Sequence, residues 1–315
     1  MNNRRSFIIG IKSTKLTIKE KKFLKEYKPW GVILFARNIK NIKQSQKLTS
    51  SIREIFNDRK YPILIDQEGG RVNRLENIIS FDNLTSEFFG NRFTENNREF
   101  KLIYKLFIDK TSFLLNSIGV NINTMPVLDL RSKSSSNVIG DRSFSNNPKI
   151  VSKIGDLCIK FFHQNGIGTV IKHIPGHGLA KVDSHKFTPI VYKKESYLLK
   201  RDFLTFKNKK TFFAMTAHII FKKIDEKNAV THSKNLINLI RKKIGFKNIL
   251  ISDDLSMKGL KGTLKEKTIK MFNSGCNLAL HCNGHLKEMI IVGENSPKID
   301  KFIIKKTSQF YKILS

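Results

Sequence analysis

The sequence predicts an α/β fold, a single TIM-like (β/α)8 barrel, and three observations predict it. Short apolar runs recur eight times, amphipathic runs of helical period lie between them, and no Gly/Ser linker or low-complexity stretch divides the 315 residues. Strands buried on both faces of a parallel sheet read as near-continuous apolar runs rather than alternating ones. At roughly 150 residues per domain the length allows two domains, but a barrel of about 250 residues is one. One catalytic domain over residues 1–315 is therefore expected. An open doubly wound sheet stays the alternative, because periodicity does not close a barrel.

The first run is Phe7–Ile11. The residues before it, Asn3-Arg4-Arg5-Ser6, resemble the start of a twin-arginine export signal. Such a signal needs about 7–15 apolar residues next. Here the run stops at Lys12, and Lys15, Lys19 and Lys21 follow, so a buried strand is expected instead. Thr17 with Glu20 three residues on forms a capping box for a helix over Thr17–Tyr27. Gly31–Phe35 and Pro62–Asp66 are the second and third runs. A helix over Asn97–Ile118 aligns Phe100, Ile103, Phe107, Leu114 and Ile118 on one stripe and stops at Gly119. Val120–Val127 is the fourth run. A helix over Lys149–Gln164 leads to the fifth, Gly168–His173, and Phe212–His218 is the sixth. Helices over Ser233–Lys243 and Thr263–Ser274 precede Asn248–Asp253 and Cys276–His281.

Composition removes several classes. Apolar residues are 40% of the chain, with 24 Phe, which supports a sizeable core and excludes wholesale disorder. Cys158, Cys276 and Cys282 form no C-x-x-C pair, so neither a disulfide framework nor a zinc knuckle is expected. They read as small core residues. No run of about 18 apolar residues exists, so no membrane span is expected and a cytoplasmic protein is. The net charge of +32 invites a nucleic-acid, membrane-surface or anionic-substrate reading. Lys and Arg are spread along the whole chain, however, where a nucleic-acid footprint concentrates on one face. A monomer acting on a small molecule is expected, with no nucleic-acid or membrane partner.

Polar residues gather where a barrel does its chemistry, at the carboxyl ends of strands. Asp66 closes the third run and leads into Gln67-Glu68-Gly69-Gly70-Arg71-Val72-Asn73-Arg74. Asn123 lies in the fourth run and Asp129 just after it. Lys172 and His173 close the fifth, His218 the sixth, Asp253 and Asp254 the seventh, and His281 the eighth. A carboxylate at a buried strand tip is costly unless paired or used. Several on one rim point to a site. Adjacent strand residues face opposite sides, so one of Asp253 and Asp254 should face the pocket and the other cap the next helix.

The segment Lys172–His185 holds three histidines and one acid. His173 and His177 have the spacing of a helical metal pair, but Pro175, Gly176 and Gly178 argue against a helix. No thiolate is suitably spaced, so no metal and no cofactor is expected. Asp183-Ser184-His185 suits proton transfer, since an Asp two residues before a His can orient and charge the imidazole. A solvated polar loop is the other reading of this triplet. No G-x-S-x-G elbow and no G-x-G-x-x-G fingerprint is present there.

Seven blocks of this chain together resemble glycoside hydrolase family 3, in particular its β-N-acetylglucosaminidase branch of bacterial cell-wall recycling. They are Gly31–Asn38, Asp66–Arg74, Asn123–Asp129, Arg142-Ser143-Phe144, Lys172–His185, Met215–Ile219 and Ser252–Met257. The resemblance implies Asp253 as nucleophile and His185, supported by Asp183, as general acid/base. It implies that Asp66, Arg74, Arg142, Lys172 and His173 bind the N-acetylglucosamine unit. The implied reaction releases this sugar with retention from a disaccharide whose second sugar is a peptide-bearing 1,6-anhydromuramic acid. Glu68 is the carboxylate alternative for acid/base, and the Asp183–His185 pair is preferred to it. Against the family pattern, Leu179-Ala180-Lys181 occupy loop positions where small acidic or hydroxyl residues are usual, and Asn277 replaces a common Asp. Two other readings stay open: phosphate in place of water as the attacking group, and a basic barrel that binds anions or nucleic acid without catalysis.

Overall fold

In a computed structural model that describes residues 1, 3–132, 137–184 and 186–314, eight parallel strands close on themselves. In chain order the elements begin with β1 (Arg5–Gly10), α1 (Ile18–Tyr27), β2 (Pro29–Leu34), α2 (Ile42–Phe56) and β3 (Ile63–Ile65). Then come α3 (Ser86–Glu95), α4 (Asn97–Ser117), β4 (Ile122–Asn123), α5 (Pro148–Gln164), β5 (Gly168–Ile174), β6 (Ile190–Val191) and α6 (Glu195–Lys200). The chain continues through β7 (Phe213–Thr216), β8 (Ile220–Phe221), α7 (Lys234–Leu239), β9 (Ile249–Asp254) and α8 (Leu264–Ser274). It finishes with β10 (Leu278–His281), α9 (Leu286–Glu294) and α10 (Lys301–Tyr311). Round the barrel the order is β1-β2-β3-β4-β5-β7-β9-β10, and β10 pairs with β1. Closure excludes the open sheet. Strands β6 and β8 form a separate pair outside the barrel.

The apolar strand runs divide between two faces. Ile8, Ile33, Leu64, Ile122, Val170, Met215, Ile251 and Leu280 point into the barrel. Their neighbours Phe7, Ile9, Leu34, Ile63, Ile171, Ala214, Leu250 and Ala279 pack in the larger cluster that includes the helices. This two-residue alternation with both sides buried is why the runs read as continuously apolar.

The sequence pattern predicts no helix after Ser274, yet α10 has a defined place. Phe310 and Ile303 join the interior cluster, and the Trp30 indole donates to Thr307 Oγ1 at 2.9 Å. A Cβ on Gly168 would lie 2.5 Å from the Phe310 ring, so the helix packs where only glycine fits. Trp30, Gly168 and Phe213 all stand at strand starts. Helix α10 therefore covers the amino-terminal end of the barrel. The double arginine belongs to the same end: Arg4 is buried and pairs with Asp58 at 2.6 Å, and β1 starts at Arg5.

Some boundaries differ from expectation. Regular pairing of β4 stops at Asn123, short of the expected Val127, and the chain meets β5 again only at an isolated bridge between Val127 and Lys172. The expected helix over Ser233–Lys243 is α7 followed by a wider, π-type turn over Ile240–Ile244. Asn277 is used structurally, its Oδ1 accepting from Arg241 and from Leu250 N. Cys158 and Cys276 are buried free thiols as expected. Cys282 is only half-buried, because it follows β10 at the carboxyl-terminal rim of the barrel rather than lying in a core layer. Among the described residues no helix is long and apolar enough to cross a membrane.

Candidate active site

The carboxyl ends of β3, β4 and β5 assemble a charged network. Lys172, on β5, points its Nζ at Glu68 Oε1 (2.6 Å), Asp66 Oδ1 (3.0 Å) and Thr124 Oγ1 (2.9 Å). Arg142 grips both oxygens of Glu68, with Nε–Oε2 at 2.7 Å and NH2–Oε1 at 2.8 Å. Arg74 reaches Asp66 Oδ2 at 3.9 Å, and Thr124 donates its hydroxyl to Asp66. Burying charge is tolerable only when it is paired and hydrogen-bonded. Exposure then separates two layers. The side chains of Glu68 and Lys172 are 2% and 3% exposed, whereas those of Asp66 and Arg74 are 19% and 29% exposed. The first pair is a foundation, and the second can meet a ligand's hydroxyls.

Burial raises the Glu68 carboxyl pKa, but Arg142 and Lys172 more than reverse this and hold it far below the ordinary range. Asp66 is lowered in the same way, with Lys172 and Arg74 overcoming its burial. Glu68 is therefore ionised at neutral pH and doubly engaged. Both of its oxygens are already bound by cations.

Asp129 is a second centre, and it was not among the site residues expected from sequence. Fully buried, it accepts the backbone N–H of His177 at 2.6 Å and that of His173 at 3.2 Å. It also lies 2.7 Å from His173 Nδ1. A carboxylate can only accept, so Nδ1 is the protonated nitrogen and the ring orientation is fixed. One carboxylate thus holds the end of β5 and the start of its loop. That loop passes tightly under the chain at Gly178, where a Cβ would lie 2.2 Å from the Leu130 carbonyl oxygen.

Within the loop, His177 Nε2 lies 3.1 Å from Ser184 Oγ, and the Ser184 carbonyl accepts the Gly259 N–H at 2.9 Å. The Asp183 carbonyl accepts from Lys186 and Phe187, closing a turn. His185, the expected acid/base, lies outside the described residues. Burial, with His173 close by, pushes the His177 imidazole down to about 4. It is neutral at working pH.

Both acids at the end of β9 are half-buried. Asp254 is consumed locally. Its Oδ2 accepts the Ser256 hydroxyl at 2.7 Å, and its Oδ1 accepts Ser256 N at 3.0 Å. This corrects the expectation that the second acid caps the next helix: it caps a turn, and α8 is capped by Thr263 in a box with Glu266. Asp253 Oδ1 accepts the Asp254 N–H at 2.8 Å. Its charge acts on the rings of His177 and His218 and on the Cys282 thiol. His218 is braced by Thr231 Oγ1 at 2.8 Å and the Asp254 carbonyl at 3.1 Å.

Of the residues expected from sequence, Asp66, Arg74, Arg142 and Lys172 form one network, and His173 joins them through the shared strand. Asp183 sits in the turn that Ser184 ties to His177, and His177 feels the charge of Asp253. Sequence reasoning missed Asp129, Thr124, His177, Ser184 and Gly259 as parts of the site. The signal for Asp129 was present, an acid just past a strand end.

The chain is 33% identical over 288 residues to the beta-hexosaminidase of Actinobacillus pleuropneumoniae serotype 3, covering 88% of this chain and 80% of that protein. It is 32% identical over 286 residues to the beta-hexosaminidase of Haemophilus influenzae, with 88% and 79% covered. Among solved structures it resembles native NagZ from Neisseria gonorrhoeae, with a TM-score of 0.88, 26% identity, and 98% and 90% of the two chains covered. The same protein in complex with N-trifluoroacetyl-D-glucosamine gives a TM-score of 0.87. The sequence pattern of the glycosyl hydrolase family 3 N-terminal domain matches residues 8–304. With that domain spanning the barrel, and with such relatives matched along most of their length, the chain belongs to glycosyl hydrolase family 3.

Proposed function

We propose that this family 3 hydrolase is a retaining β-N-acetylglucosaminidase, built as one catalytic domain and working as a cytoplasmic monomer. Its substrate is a disaccharide with terminal β-linked N-acetylglucosamine on 1,6-anhydro-N-acetylmuramic acid carrying peptide. The observation that carries the reading is the convergence at one barrel mouth. A partly exposed Asp66–Arg74 rim stands over the Lys172–Glu68–Arg142 foundation, and Asp253 acts on His177, to which the Asp183-bearing turn is tied. The beta-hexosaminidase relatives and the N-trifluoroacetyl-D-glucosamine complex of the gonococcal neighbour support the sugar.

In this reading Asp66, Arg74, Arg142, Lys172 and His173 hold the N-acetylglucosamine unit. An Asp253 oxygen attacks C1 from one face while the His185 imidazolium, charged with help from Asp183, protonates the departing oxygen. The C1–O bond to the second sugar breaks and an ester to Asp253 forms. The now neutral imidazole takes a proton from water, whose oxygen attacks C1 from the vacated face and frees Asp253. Two inversions give retention. An imidazole of ordinary pKa near 6.5 suits both halves at neutral pH.

The test is hydrolysis of 4-nitrophenyl N-acetyl-β-D-glucosaminide by wild type and by Asp253→Asn, with product analysis on an anhydromuropeptide with and without phosphate. Wild type is expected to release the β-anomer first, in water as well as in phosphate. The variant is expected to lose at least about a thousandfold in kcat. Full activity of Asp253→Asn removes the nucleophile assignment, and a sugar phosphate product replaces hydrolysis by phosphorolysis.

A further inference from the structure

Ser184 stands between the two loops that the proposed reaction brings together. Its hydroxyl bonds to His177 at 3.1 Å, and its carbonyl accepts the Gly259 N–H at 2.9 Å. The residue is 2% exposed, so neither bond competes strongly with water. Both holds are firm. His177 is fixed through its own backbone N–H to buried Asp129 at 2.6 Å. Gly259 lies in the loop that leaves β9, the strand ending at Asp253 and Asp254. A Cβ on Gly259 would lie 2.7 Å from the Ser184 carbonyl oxygen and 3.4 Å from that of Phe187. Glycine is thus what lets the two loops approach closely enough to share a hydrogen bond.

In the chain Ser184 separates Asp183 from position 185. Fixing its hydroxyl on one side and its carbonyl on the other fixes the turn that carries Asp183. We propose that Ser184 is a positioning residue. Held by His177 and Gly259, it sets Asp183, the residue that the functional reading pairs with the proton donor, at a defined place relative to Asp253. This rests on the functional reading above and deepens it. The loop of the proton donor is tied to the loop of the nucleophile, rather than to the barrel alone.

The test uses the full chain as wild type, Ser184→Ala, Ser184→Thr and Gly259→Ala, with two substrates. The 2,4-dinitrophenyl N-acetyl-β-D-glucosaminide has a leaving group that departs without protonation, and N,N′-diacetylchitobiose has one that needs it. Protonation by a placed group contributes about 10²–10⁴-fold, so a misplaced one should forfeit part of that. Ser184→Ala and Gly259→Ala are expected to lose about 10–100-fold in kcat/KM on chitobiose and under about threefold on the dinitrophenyl glycoside. Azide, which attacks without base help, is expected to restore their slowed second step. Ser184→Thr keeps the hydroxyl and should recover most of the loss on chitobiose. Equal losses on both substrates, or none on either, overturn the proposal. If Ser184→Ala fails to fold, Gly259→Ala probes the same loop-to-loop bond from its opposite side. A wild type that cleaves neither glycoside sinks the functional reading itself, a result distinct from any pattern among active variants.

Discussion

Lys172 Nζ lies 2.6 Å from Glu68 Oε1 and 3.0 Å from Asp66 Oδ1, so one ammonium joins a buried carboxylate to a partly exposed one. Any change in Glu68 is therefore felt at the rim through Lys172, although Glu68 itself faces away from solvent.

The expected result of Glu68→Gln follows. Removing one partner of a buried ion pair costs about 3–5 kcal/mol, because the remaining charges lose their compensation. Here Lys172 and Arg142 both lose it. Thermal unfolding should fall by several degrees, and KM for the 4-nitrophenyl glycoside should rise at least about tenfold, since 1.4 kcal/mol is a factor of ten. The folded carboxyl is depressed, so its stabilisation is present above about pH 4.3, the unfolded value, and fades as acid is added. The gap between wild type and variant should therefore start to narrow below about pH 4 and close only as the pH nears the strongly depressed folded value. A separation that persists unchanged into acid would disprove the assignment.

Asp129→Asn should damage stability and activity together. The amide keeps an acceptor oxygen but turns an NH₂ toward donors that need an acceptor. A buried donor left unsatisfied costs about 1–3 kcal/mol, and Asp129 serves the N–H of His177, the N–H of His173 and His173 Nδ1. Loss of about 3 kcal/mol by denaturant titration is expected, with kcat/KM down at least about tenfold as the His173 ring loses its orientation.

Asp202 offers a test with the opposite sign. It is 2% exposed, its Oδ2 has no hydrogen-bond partner among the described residues, and burial raises its carboxyl to about 6. A raised folded pKa means full stabilisation below the unfolded value near 3.9 and progressive loss as pH climbs to about 6. Asp202→Asn should thus match wild type near pH 4 and exceed it at pH 7.5 by about 2 kcal/mol, at 1.36 per pKa unit. Paired thermal melts at the two pH values decide this.

The floor of the barrel should be separable from its chemistry. Phe310→Ala removes a ring packed on Phe213 at 5.2 Å and is expected to cost about 3–5 kcal/mol. Thr307→Ala strands the Trp30 indole N–H and should cost about 1–3 kcal/mol. Well below their melting temperatures both variants should retain wild-type kcat/KM.

Legibility from sequence followed the periodicity. All eight barrel strands were readable because two-sided burial makes their apolar runs continuous, as in Phe213–Thr216 and Ile249–Ile251. Helix α4 was readable from its stripe. Helix α3 was not: it carries Gly90, a poor helix residue, kept where a Cβ would strike the Phe144 carbonyl at 1.6 Å. The β6–β8 pair has two residues per strand and no period to detect. At the site, charged residues past strand ends were visible, because a carboxylate there stands out from its apolar surroundings. Ser184 and Gly259 were invisible in that role, because a backbone hydrogen bond between distant loops leaves no mark in composition or spacing.

The floor formed by α10 has a bearing on traffic. Phe310 and Ile303 pack into the barrel interior at the end opposite the candidate site, so the described residues block that end. In the proposed reaction a freed sugar therefore leaves by the way it came in, past the Ser184-anchored turn. Departure and arrival therefore compete for a single doorway, and each round of turnover includes clearing it.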